Sequence, residues 1–574
     1  MEKLAGLLEK AVEELYGVEV VAKVSPNTKG GGDYATNVAM EVASKLRERS
    51  KNEGDESTLP LPPLKVAESI VAHLGEKVNS DYAFSVSAPG FINVSLTDGL
   101  LRRAVEGLAK GEKPAPYKGQ VVVTEFSDPN PFKVLHIGHF YTSVVGDAIS
   151  NLVEAGGGKV HRVNFGGDVG LHVAKTVWAI LEDGGFLAAK DKSLADRTNW
   201  IAGCYVAGTA AYEEEGAAKA EIVALNKELY RISAEDDREG EVAEVYWTCR
   251  QWSYEYFDDF YARVGVRFEK YYPESVTAGL GLETVKAHPE VYVESDGATV
   301  FHGEPWGLHT RVFINAAGLP TYEAKDVGLI FKKWEDYKFD RSVVITGNDI
   351  TEYMKVVLKS IEQYAPELPE RTTHLTHGNV KLAGGVKMSS RKGNFVRAVD
   401  VLEMVGEAVK ELGDEAPHEE IALGAIKYAF LKNRLGPDLI FDPKESVNLY
   451  GNSGPYLQYS LARAKSILRK LTSEGAGTDA SSLVAEAALT PSERSLALKL
   501  MAYNEVLGEA MVELDPAGLC NYLYELAQAF SRFYEKNRVV GGENAAYRRS
   551  LVERYAETLA DGFGVLGIPV LEKI

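Results

Sequence analysis

Two histidines separated by two residues carry the clearest chemical signal in the sequence. His136 and His139 end the stretch EFSDPNPFKVLHIGH at residues 125–139, with Gly138 between them. A buried-strand pattern precedes this stretch and a helix pattern follows it, so the pair lies at a helix N-terminus. Free backbone N–H groups and the helix dipole favour a phosphate chain there, imidazoles donate hydrogen bonds to phosphate oxygens, and Gly138 leaves room for a nucleotide. The motif predicts nucleotide binding at a strand-to-helix junction.

A cationic loop flanked by glycines is the second signal. Residues 384–394 read GGVKMSSRKGN and place Lys387, Arg391 and Lys392 beside two serine hydroxyls. Glycines allow such a loop to close over a polyphosphate, and cations aimed at a transferring phosphoryl group stabilise its transition state more than its ground state. Taken alone, the loop is equally compatible with a solvated basic segment.

The elements that must position these residues follow an alternating strand and helix pattern. Residues 120–126 and 342–346 are continuous apolar runs typical of buried parallel strands, and residues 159–164 form a third strand pattern. A helix pattern through residues 144–152 completes a βαβ unit. We therefore expect residues 113–424 to form a Rossmann-type doubly wound α/β catalytic domain, with insertions, that binds ligands at the carboxyl ends of its strands.

Smaller domains are expected on both sides of this centre. Residues 1–112 combine an amphipathic helix, a strand-like run at 18–24 and two short strands within 84–95, which predicts a small α+β domain. Residues 425–574 show apolar residues at helical spacing throughout, which predicts an all-α helical bundle. The predicted helical segments are 421–435, 455–471, 492–513, 515–539 and 545–563.

Composition excludes several classes of protein. The 574 residues, 45% apolar and 25% charged, are ordinary for a globular chain of about three or four domains. Cys204, Cys249 and Cys520 are far apart, which excludes a disulfide framework or a Cys-x-x-Cys zinc module and is typical of a reducing cytosol. The N-terminus has an acidic amphipathic pattern rather than that of a signal peptide, and no run of about 18 uncharged apolar residues occurs. We expect a cytoplasmic protein without a membrane segment.

The net charge of −20 is concentrated in the middle of the chain. It argues against non-specific nucleic-acid binding by the whole surface. Residues 1–110 carry −3 and residues 425–574 carry −1, which leaves −16 for residues 111–424. An acidic centre suits a small cationic substrate, although a solvated acidic surface explains the charge equally well.

The histidine motif and the cationic loop, about 250 residues apart, resemble the H-I-G-H and K-M-S-K-S pair of class I aminoacyl-tRNA synthetases. The match narrows to the arginyl-tRNA synthetase family through Glu125, Asn130 and Lys133, which precede the histidines. Further similarity to that family covers nearly the whole chain in order. The similar stretches are GDYATN at 32–37, APGFIN at 88–93, GDVG at 167–170, TYEAKD at 321–326, GNSGPY at 451–456 and YLYELA at 522–527.

The resemblance implies that the chain activates L-arginine with ATP and Mg²⁺ and transfers it to the 3′ end of an arginine tRNA. By the family match, Glu125 and Asn130 hold the α-amino end of the substrate, and Tyr322 and Asp326 hold its guanidinium. Tyr322 and Asp326 are four residues apart and share one helical face, and a guanidinium is well matched by a carboxylate. Lysine cannot form the same paired hydrogen bonds, so such a site could reject it without editing.

The same match implies that the phosphate chemistry is catalysed by positioning the substrates and by stabilising the charge that develops on the phosphates. The residues assigned to ATP are His136, Gly138, His139, Gly347, Asp349, Lys387, Met388, Ser389 and Ser390. The residues assigned to catalysis are Lys133, His136, His139, Lys387, Arg391 and Lys392.

Three positions depart from the family pattern. Ser390 replaces the second lysine of the class motif, so Arg391, Lys392 or Lys133 must supply that charge. His172 stands where many members carry glutamine, and we place it in the arginine site. Residues 347–353 read GNDITEY where many members carry glutamine and histidine.

The terminal domains imply contacts with tRNA. We expect the acceptor end, the D-loop and the anticodon loop of an arginine tRNA to bind, and we expect a monomer. Aromatic side chains in the helical tail could stack on unpaired bases, but such residues are more often core. The aromatic candidates are Tyr456, Tyr459, Tyr522, Tyr524, Phe530, Phe533 and Tyr534, and the candidate phosphate contacts are Arg463, Lys465, Arg469, Lys470, Arg532, Lys536 and Arg538.

Two alternatives belong to other classes of protein. A non-catalytic tRNA-binding paralogue would bind tRNA without consuming ATP, and the intact histidines and loop cations argue against it. Another class I synthetase or a small-molecule adenylyltransferase would not need Glu125, Asn130, Tyr322 and Asp326 together. An adenylyltransferase would also need neither terminal domain.

Overall fold

The computed structural model describes most of the chain and divides it into two compact units. The described residues are 2–27, 30–53, 61–77, 81–108, 111–214, 216–383, 396–410, 417–473, 487–539 and 544–573. The first unit consists of Met1–Glu112, Ile467–Tyr503 and Leu526–Thr558, and the second of Lys113–Ser466, Asn504–Glu525 and Leu559–Ile574. The predicted cationic loop at 384–394 lies outside the described residues.

The first unit contains a four-stranded antiparallel sheet. The N-terminal elements are α1 (Glu2–Tyr16), β1 (Val24–Pro26), β2 (Tyr34–Thr36), α2 (Val38–Glu53), α3 (Pro63–Lys77), β3 (Tyr82–Ser87), β4 (Phe91–Leu96) and α4 (Asp98–Gly107). The strand order is β1-β2-β4-β3. Strands β3 and β4 confirm the two strands predicted within residues 84–95.

The strand predicted at residues 18–24 is wrong. Only Val24 joins the sheet. The preceding residues bond to side chains of neighbouring helices, because Glu9 Oε1 accepts the Ala22 N–H at 2.9 Å and Lys45 Nζ donates to the Glu19 carbonyl at 2.8 Å. These bonds replace a strand ladder.

The second unit is built on a five-stranded parallel sheet. The strands that follow β4 along the chain are β5 (Val121–Glu125), β6 (Lys159–Gly166), β7 (Lys270–Pro273), β8 (Val293–Ser295), β9 (Ala298–Phe301), β10 (Arg311–Ile314), β11 (Arg341–Gly347), β12 (Thr372–His377), β13 (Val380–Leu382) and β14 (Leu439–Phe441). The parallel sheet has the order β12-β11-β5-β6-β7. The chain starts at β5 and winds outward in both directions, which confirms the doubly wound fold and places the switch point between β5 and β11. A three-stranded sheet, β10-β9-β8, and the pair β13-β14 are separate.

Helices cover this sheet and carry five of the predicted site residues, Gly138, His139, His172, Tyr322 and Asp326. They are α5 (Ile137–Ala155), α6 (Leu171–Asp183), α7 (Phe186–Ala189), α8 (Leu194–Glu213), α9 (Ala217–Ala234), α10 (Glu241–Val264), α11 (Glu274–Ala287), α12 (Tyr322–Tyr337), α13 (Thr351–Glu362), α14 (Glu367–Arg371), α15 (Ala398–Lys410), α16 (His418–Leu431) and α17 (Pro443–Ser446). Because helices pack on the sheet, most of β5, including its last residue Glu125, is buried.

The remaining helices are α18 (Gly454–Ser473), α19 (Pro491–Met501), α20 (Tyr503–Glu513), α21 (Pro516–Lys536) and α22 (Ala545–Leu566). They confirm the predicted helical tail with two differences. Residues 425–574 were expected to be all-α, but they include strand β14, which pairs with β13. The segment predicted at 492–513 forms two helices. Helix α19 ends because the Ala502 N–H donates to the Lys499 and Leu500 carbonyls, which breaks the helical hydrogen-bond pattern. Among the described helices, none is long and apolar enough to cross a membrane. All three cysteines are free and buried.

Helices α11 and α12 pack closely against each other at two glycines, Gly281 and Gly328. A Cβ at Gly281 would lie 1.9 Å from the Ala324 carbonyl oxygen, and a Cβ at Gly328 would lie 2.1 Å from the Thr277 carbonyl oxygen. Real Cβ atoms do not approach this closely, so only glycine permits the helix separation. This contact fixes the position of α12, which carries Tyr322 and Asp326.

Gly281→Ala is therefore expected to destabilise the protein. The new methyl group must push α11 away from α12, and overpacking of this kind costs about 1–3 kcal/mol. Urea denaturation would measure the change in the free energy of unfolding. Gly279→Ala is the matched control, because a Cβ at exposed Gly279 meets nothing within 4 Å and alanine favours a helix over glycine. Equal stabilities for the two variants would contradict the packing argument.

Candidate active site

The chain leaves β5 through a strained turn at the switch point. Ser127 and Asp128 have φ angles of 75° and 48°, in the left-handed region that non-glycine residues rarely adopt. Two bonds hold the turn: Asp128 Oδ1 accepts the Phe165 N–H at 2.8 Å, and the Ser127 hydroxyl lies 2.7 Å from the Tyr261 hydroxyl. Such strain costs on the order of 1–3 kcal/mol per residue and clusters at functional sites.

The two histidines cap α5 and each other. His136 Nδ1 accepts the backbone N–H groups of Gly138 at 3.1 Å and His139 at 3.3 Å, while His139 Nδ1 accepts the N–H of His136 at 3.2 Å. The rings stack with centroids 3.7 Å apart. Because both Nδ1 atoms accept, each neutral ring carries its proton on Nε2.

Burial keeps both imidazoles neutral. Burial and the nearby positive charge of Lys133 lower the pKa of His136 to about 4. Burial lowers the pKa of His139 well below its usual value, and the His136 and Lys133 charges add to this effect. The pair therefore offers two neutral Nε2–H donors at physiological pH.

The expectation of free backbone N–H groups at this helix end is wrong. His136 accepts two of them, the Ile137 N–H donates to the Val396 carbonyl at 3.0 Å, and the Phe140 N–H donates to the His136 carbonyl. Gly138 also has a specific reason to be glycine, since a Cβ there would lie 2.9 Å from the His136 ring. An anion at this position would meet imidazole N–H groups.

The segment that follows the cationic loop pairs with the histidine motif. Besides the Ile137 bond to Val396, the Ala398 N–H donates to the Leu135 carbonyl at 2.9 Å, and Arg397 forms an antiparallel bridge with His136. The predicted loop residues Lys387, Met388, Ser389, Ser390, Arg391 and Lys392 lie outside the described residues.

Three buried carboxyl groups lie near the carboxyl end of β5. Glu125 forms a buried ion pair with Lys333 of α12. Glu274, at the start of α11, pairs with Lys325 at 2.6 Å. Asp326 is 8% exposed and accepts a hydrogen bond from the Tyr353 hydroxyl, but it forms no ion pair with any described residue. Of these three, Asp326 is the one that forms no ion pair with a described residue. Asp128, which lies close to Glu125, also forms none but accepts the Phe165 N–H.

The environment of Asp326 opposes its negative charge. The pKa of Asp326 is raised to about 7, chiefly by burial; the charges of Glu125 and Glu274 contribute to the rise, and the Tyr353 hydrogen bond and the Lys333 charge act against it. Tyr322 lies one turn earlier on α12, with 60% of its surface exposed, and its ring is 5.3 Å from Lys325 Nζ. A cation bound beside Asp326 would offset the unfavourable charge.

Asn130 and His172 hold the backbone of Gly167 after β6. Asn130 Oδ1 accepts the Gly167 N–H at 2.7 Å, and His172 Nε2 donates to the Gly167 carbonyl at 2.8 Å. Burial and the Lys133 charge lower the pKa of His172 to about 3, so the ring is neutral. Asp168 is fixed next to them by Arg250 Nε at 2.8 Å. No described residue accepts a hydrogen bond from Asn130 Nδ2.

Of the other predicted residues that the structure describes, Lys133 acts electrostatically on the buried carboxylate Glu274. Gly347 ends β11, and Asp349 follows in a short 3₁₀ turn, Asn348–Ile350, with an exposed side chain. Lys133 Nζ lies 4.8 Å above the Tyr205 ring.

Sequence reasoning missed four residues of the carboxylate cluster. Lys333 lies seven residues after Asp326, so both fall on one helical face, and this spacing could have revealed it. Lys325 stands inside the TYEAKD stretch already singled out. Tyr353 ends the GNDITEY stretch at 347–353 that was also singled out, and Glu274 has no local sequence signal, because its partner Lys325 comes from a distant segment.

Comparison with known protein families agrees with this geometry. Residues 104–442 match the model of the class I (R) tRNA synthetase catalytic domain, residues 2–96 match the arginyl-tRNA synthetase N-terminal domain, and residues 457–574 match the DALR anticodon-binding domain. The catalytic-domain match alone spans more than half of the chain.

Individual relatives are similar along their whole length. An arginine–tRNA ligase of Treponema denticola is 31% identical over 89% of this chain and 90% of its own. One from Porphyromonas gingivalis is 29% identical over the full length of both chains. The solved arginyl-tRNA synthetase of Thermus thermophilus is 25% identical and superimposes over the full length of both chains with a TM-score of 0.77. The chain belongs to the arginyl-tRNA synthetase family, the class I enzymes that ligate arginine to tRNA.

Proposed function

We propose that Asp326 binds the guanidinium of L-arginine and that the site around it performs arginine–tRNA ligation. The observation that carries this proposal is a buried carboxyl group without a cationic partner among the described residues. A buried charge is favourable only when it is paired, so the site favours a cationic side chain. Tyr322, one turn away on α12, would border the same guanidinium.

The α-amino end of the substrate would lie closer to β5. Glu125 supplies negative charge for the α-ammonium group. Asn130 uses Oδ1 for the Gly167 N–H, so its Nδ2 donor suits the α-carboxylate. His172, neutral and bonded to Gly167, would hold that backbone in place rather than carry charge.

The first chemical step joins arginine to the α-phosphorus of ATP. An oxygen of the arginine carboxylate attacks that phosphorus, the bond to the β-phosphate oxygen breaks, and pyrophosphate leaves with its electron pair. The Nε2–H groups of His136 and His139 would donate to phosphate oxygens as charge develops. Positive charge would stabilise the leaving pyrophosphate, supplied by Lys133 and by the loop residues Lys387, Arg391 and Lys392. Ser390 has no charge and would not contribute to this.

The second step transfers arginine to tRNA. The 3′-terminal ribose hydroxyl of an arginine tRNA attacks the carbonyl carbon of the adenylate, and AMP leaves. Gly138, Gly347, Asp349, Met388 and Ser389 would border ATP. Mg²⁺ would accompany ATP, held largely by phosphates and water, since no group of three potential metal-ligating side chains occurs among the described residues.

The domain organisation belongs to the same proposal. Residues 1–112 would bind the D-loop, residues 113–424 the acceptor end, and residues 425–574 the anticodon loop. The protein would act as a cytoplasmic monomer.

The pKa of Asp326 gives the proposal a pH dependence. Only the carboxylate form pairs with guanidinium, and the pKa of Asp326 in the free protein is about 7. We expect kcat/KM for arginine to fall by about tenfold per pH unit below that value. Bound arginine lowers the pKa of Asp326, because the guanidinium stabilises the carboxylate. The decrease in kcat should therefore begin at a lower pH than the decrease in kcat/KM. A kcat/KM that does not change between about pH 6 and pH 8 would contradict the assignment.

Arginine-dependent exchange between ATP and pyrophosphate tests the proposed function. It would be measured with and without arginine tRNA, with lysine as the control amino acid. Exchange with arginine and not lysine, greatest with tRNA present, is the expected result. A folded protein that binds tRNA but shows no exchange under any condition would instead be a non-catalytic tRNA-binding paralogue.

A further inference from the structure

Tyr353 lies on the first turn of α13 and contacts the carboxyl group proposed to bind substrate. Its hydroxyl donates to Asp326 Oδ2, and no described residue donates a hydrogen bond to Oδ1. The phenol has a single hydrogen, and that hydrogen is committed to Oδ2. What the phenol oxygen can still offer a ligand is lone pairs.

The Tyr353 ring is held in place on several sides. Helix α13 packs on α12, the ring packs against the core cluster that contains Met354 and Ile330, and the Arg311 guanidinium lies 5.5 Å from the ring centroid. Burial and the Asp326 charge raise the pKa of Tyr353 well above its usual value. The phenol therefore stays protonated and keeps donating to Asp326.

Two adjacent oxygens that only accept hydrogen bonds match a guanidinium. A guanidinium presents parallel N–H donors in a plane and has no acceptor. Asp326 Oδ1 supplies one acceptor and the Tyr353 phenol oxygen supplies a second, while the charge remains on Asp326. The ureido oxygen of citrulline, which is the neutral isostere of arginine, would face lone pairs at the same place.

We propose that Tyr353 is a specificity-determining residue that forms, with Asp326, the two-acceptor site for the arginine guanidinium. The proposal rests on the proposed function and names a substrate contact in the 347–353 stretch, to which the sequence alone assigned no arginine contact. The carboxylates of Glu125 and Glu274 and the ammonium group of Lys333 act on Asp326 from β5, α11 and α12. Tyr353 acts on it from α13.

Tyr353→Phe tests the proposal, because it removes the hydroxyl and keeps the ring. We expect KM for arginine to rise roughly 10- to 100-fold, as for the loss of a hydrogen bond to a charged group. The preference for arginine over citrulline in ATP–pyrophosphate exchange should fall, and KM for ATP should stay within about twofold of the wild type. An unchanged arginine KM and an unchanged preference would overturn the proposal.

Two further variants separate a specific role from a structural one. Tyr364→Phe is the matched control, because it removes a hydroxyl that lies 2.9 Å from the Tyr292 hydroxyl. It should leave both arginine readouts unchanged. Tyr353→Gln replaces the phenol by an amide that can both donate and accept hydrogen bonds. We expect its preference for arginine over citrulline to lie between those of Tyr353→Phe and the wild type. This variant also tests the proposal if Tyr353→Phe does not fold.

The wild-type protein and Asp326→Asn distinguish failure of this inference from failure of the proposed function. No arginine-dependent exchange by the wild type, with tRNA present, would remove the proposed function itself. If the wild type is active, Asp326→Asn loses arginine use, and Tyr353→Phe behaves like Tyr364→Phe, only the role of Tyr353 is wrong.

Discussion

Replacing Asp326 by asparagine is expected to lower kcat/KM for arginine by roughly 10²- to 10³-fold. The guanidinium would lose its carboxylate partner in a buried site, and truncating one partner of a buried, hydrogen-bonded charge pair costs about 2–5 kcal/mol. The loss should be mainly in KM, because the carboxylate acts on the substrate side chain and not on phosphorus. ATP–pyrophosphate exchange at varied arginine and fixed ATP would measure it.

Asp336→Asn is the matched control on the same helix. Asp336 Oδ2 accepts from Lys270 Nζ at 2.6 Å and from the Tyr272 hydroxyl at 2.6 Å. Its replacement also converts an α12 aspartate to an amide, but it should leave the arginine KM unchanged. If both variants raised the arginine KM equally, the effect would come from α12 as a whole and not from a guanidinium contact.

The same Asp326 variant should be more stable than the wild type without arginine. The pKa of Asp326 is raised to about 7 in the folded protein, against about 3.9 in an unfolded chain. The contribution of Asp326 to wild-type stability therefore falls as pH rises from about 4 to about 7, and that loss is complete above this range. Asparagine has no charge to lose, so at pH 8 its advantage should be on the order of 2–4 kcal/mol and should vanish near pH 4.

The sequence predicted features whose information is local. The buried strands, the doubly wound order and the histidine junction follow from apolar runs and from spacing within short segments. Residues 18–24 show the limit of such predictions. This strand-like run is mostly irregular in the structure, where the side chains of Glu9 and Lys45 bond to its backbone. Local propensity does not reveal competing side-chain partners.

The electrostatic partners of the site could not be predicted in the same way. Glu125 and Lys333 are 208 positions apart, and Asp326 and Tyr353 are 27 apart. Such pairs are set by how α12 and α13 pack on the sheet. The position of the histidine motif at a strand-to-helix junction followed from the sequence. The orientation of the His136 ring did not, because it depends on the fold. In that orientation His136 Nδ1 accepts the backbone N–H groups at the start of α5.

Replacing His139 should lower turnover by roughly 10²- to 10³-fold, the usual effect of losing one preorganised donor to developing charge. Affinity for tRNA should not change, because the expected role is confined to ATP phosphates. The ring also has a structural role, since its Nδ1 accepts the His136 N–H at 3.2 Å. His139→Ala removes both roles and cannot separate them.

Asparagine and glutamine at position 139 separate the two roles because each reproduces one ring nitrogen. Asparagine places an acceptor near the Nδ1 position and should keep the cap, which contributes about 1 kcal/mol, but lacks the distal donor. Glutamine places an N–H near the Nε2 position and lacks the cap. We expect kcat to follow the order glutamine above asparagine and alanine, and thermal stability to follow the order asparagine above glutamine and alanine. If kcat followed the same order as thermal stability across the three variants, His139 would act only as a helix cap, and its proposed role in phosphate binding would be wrong.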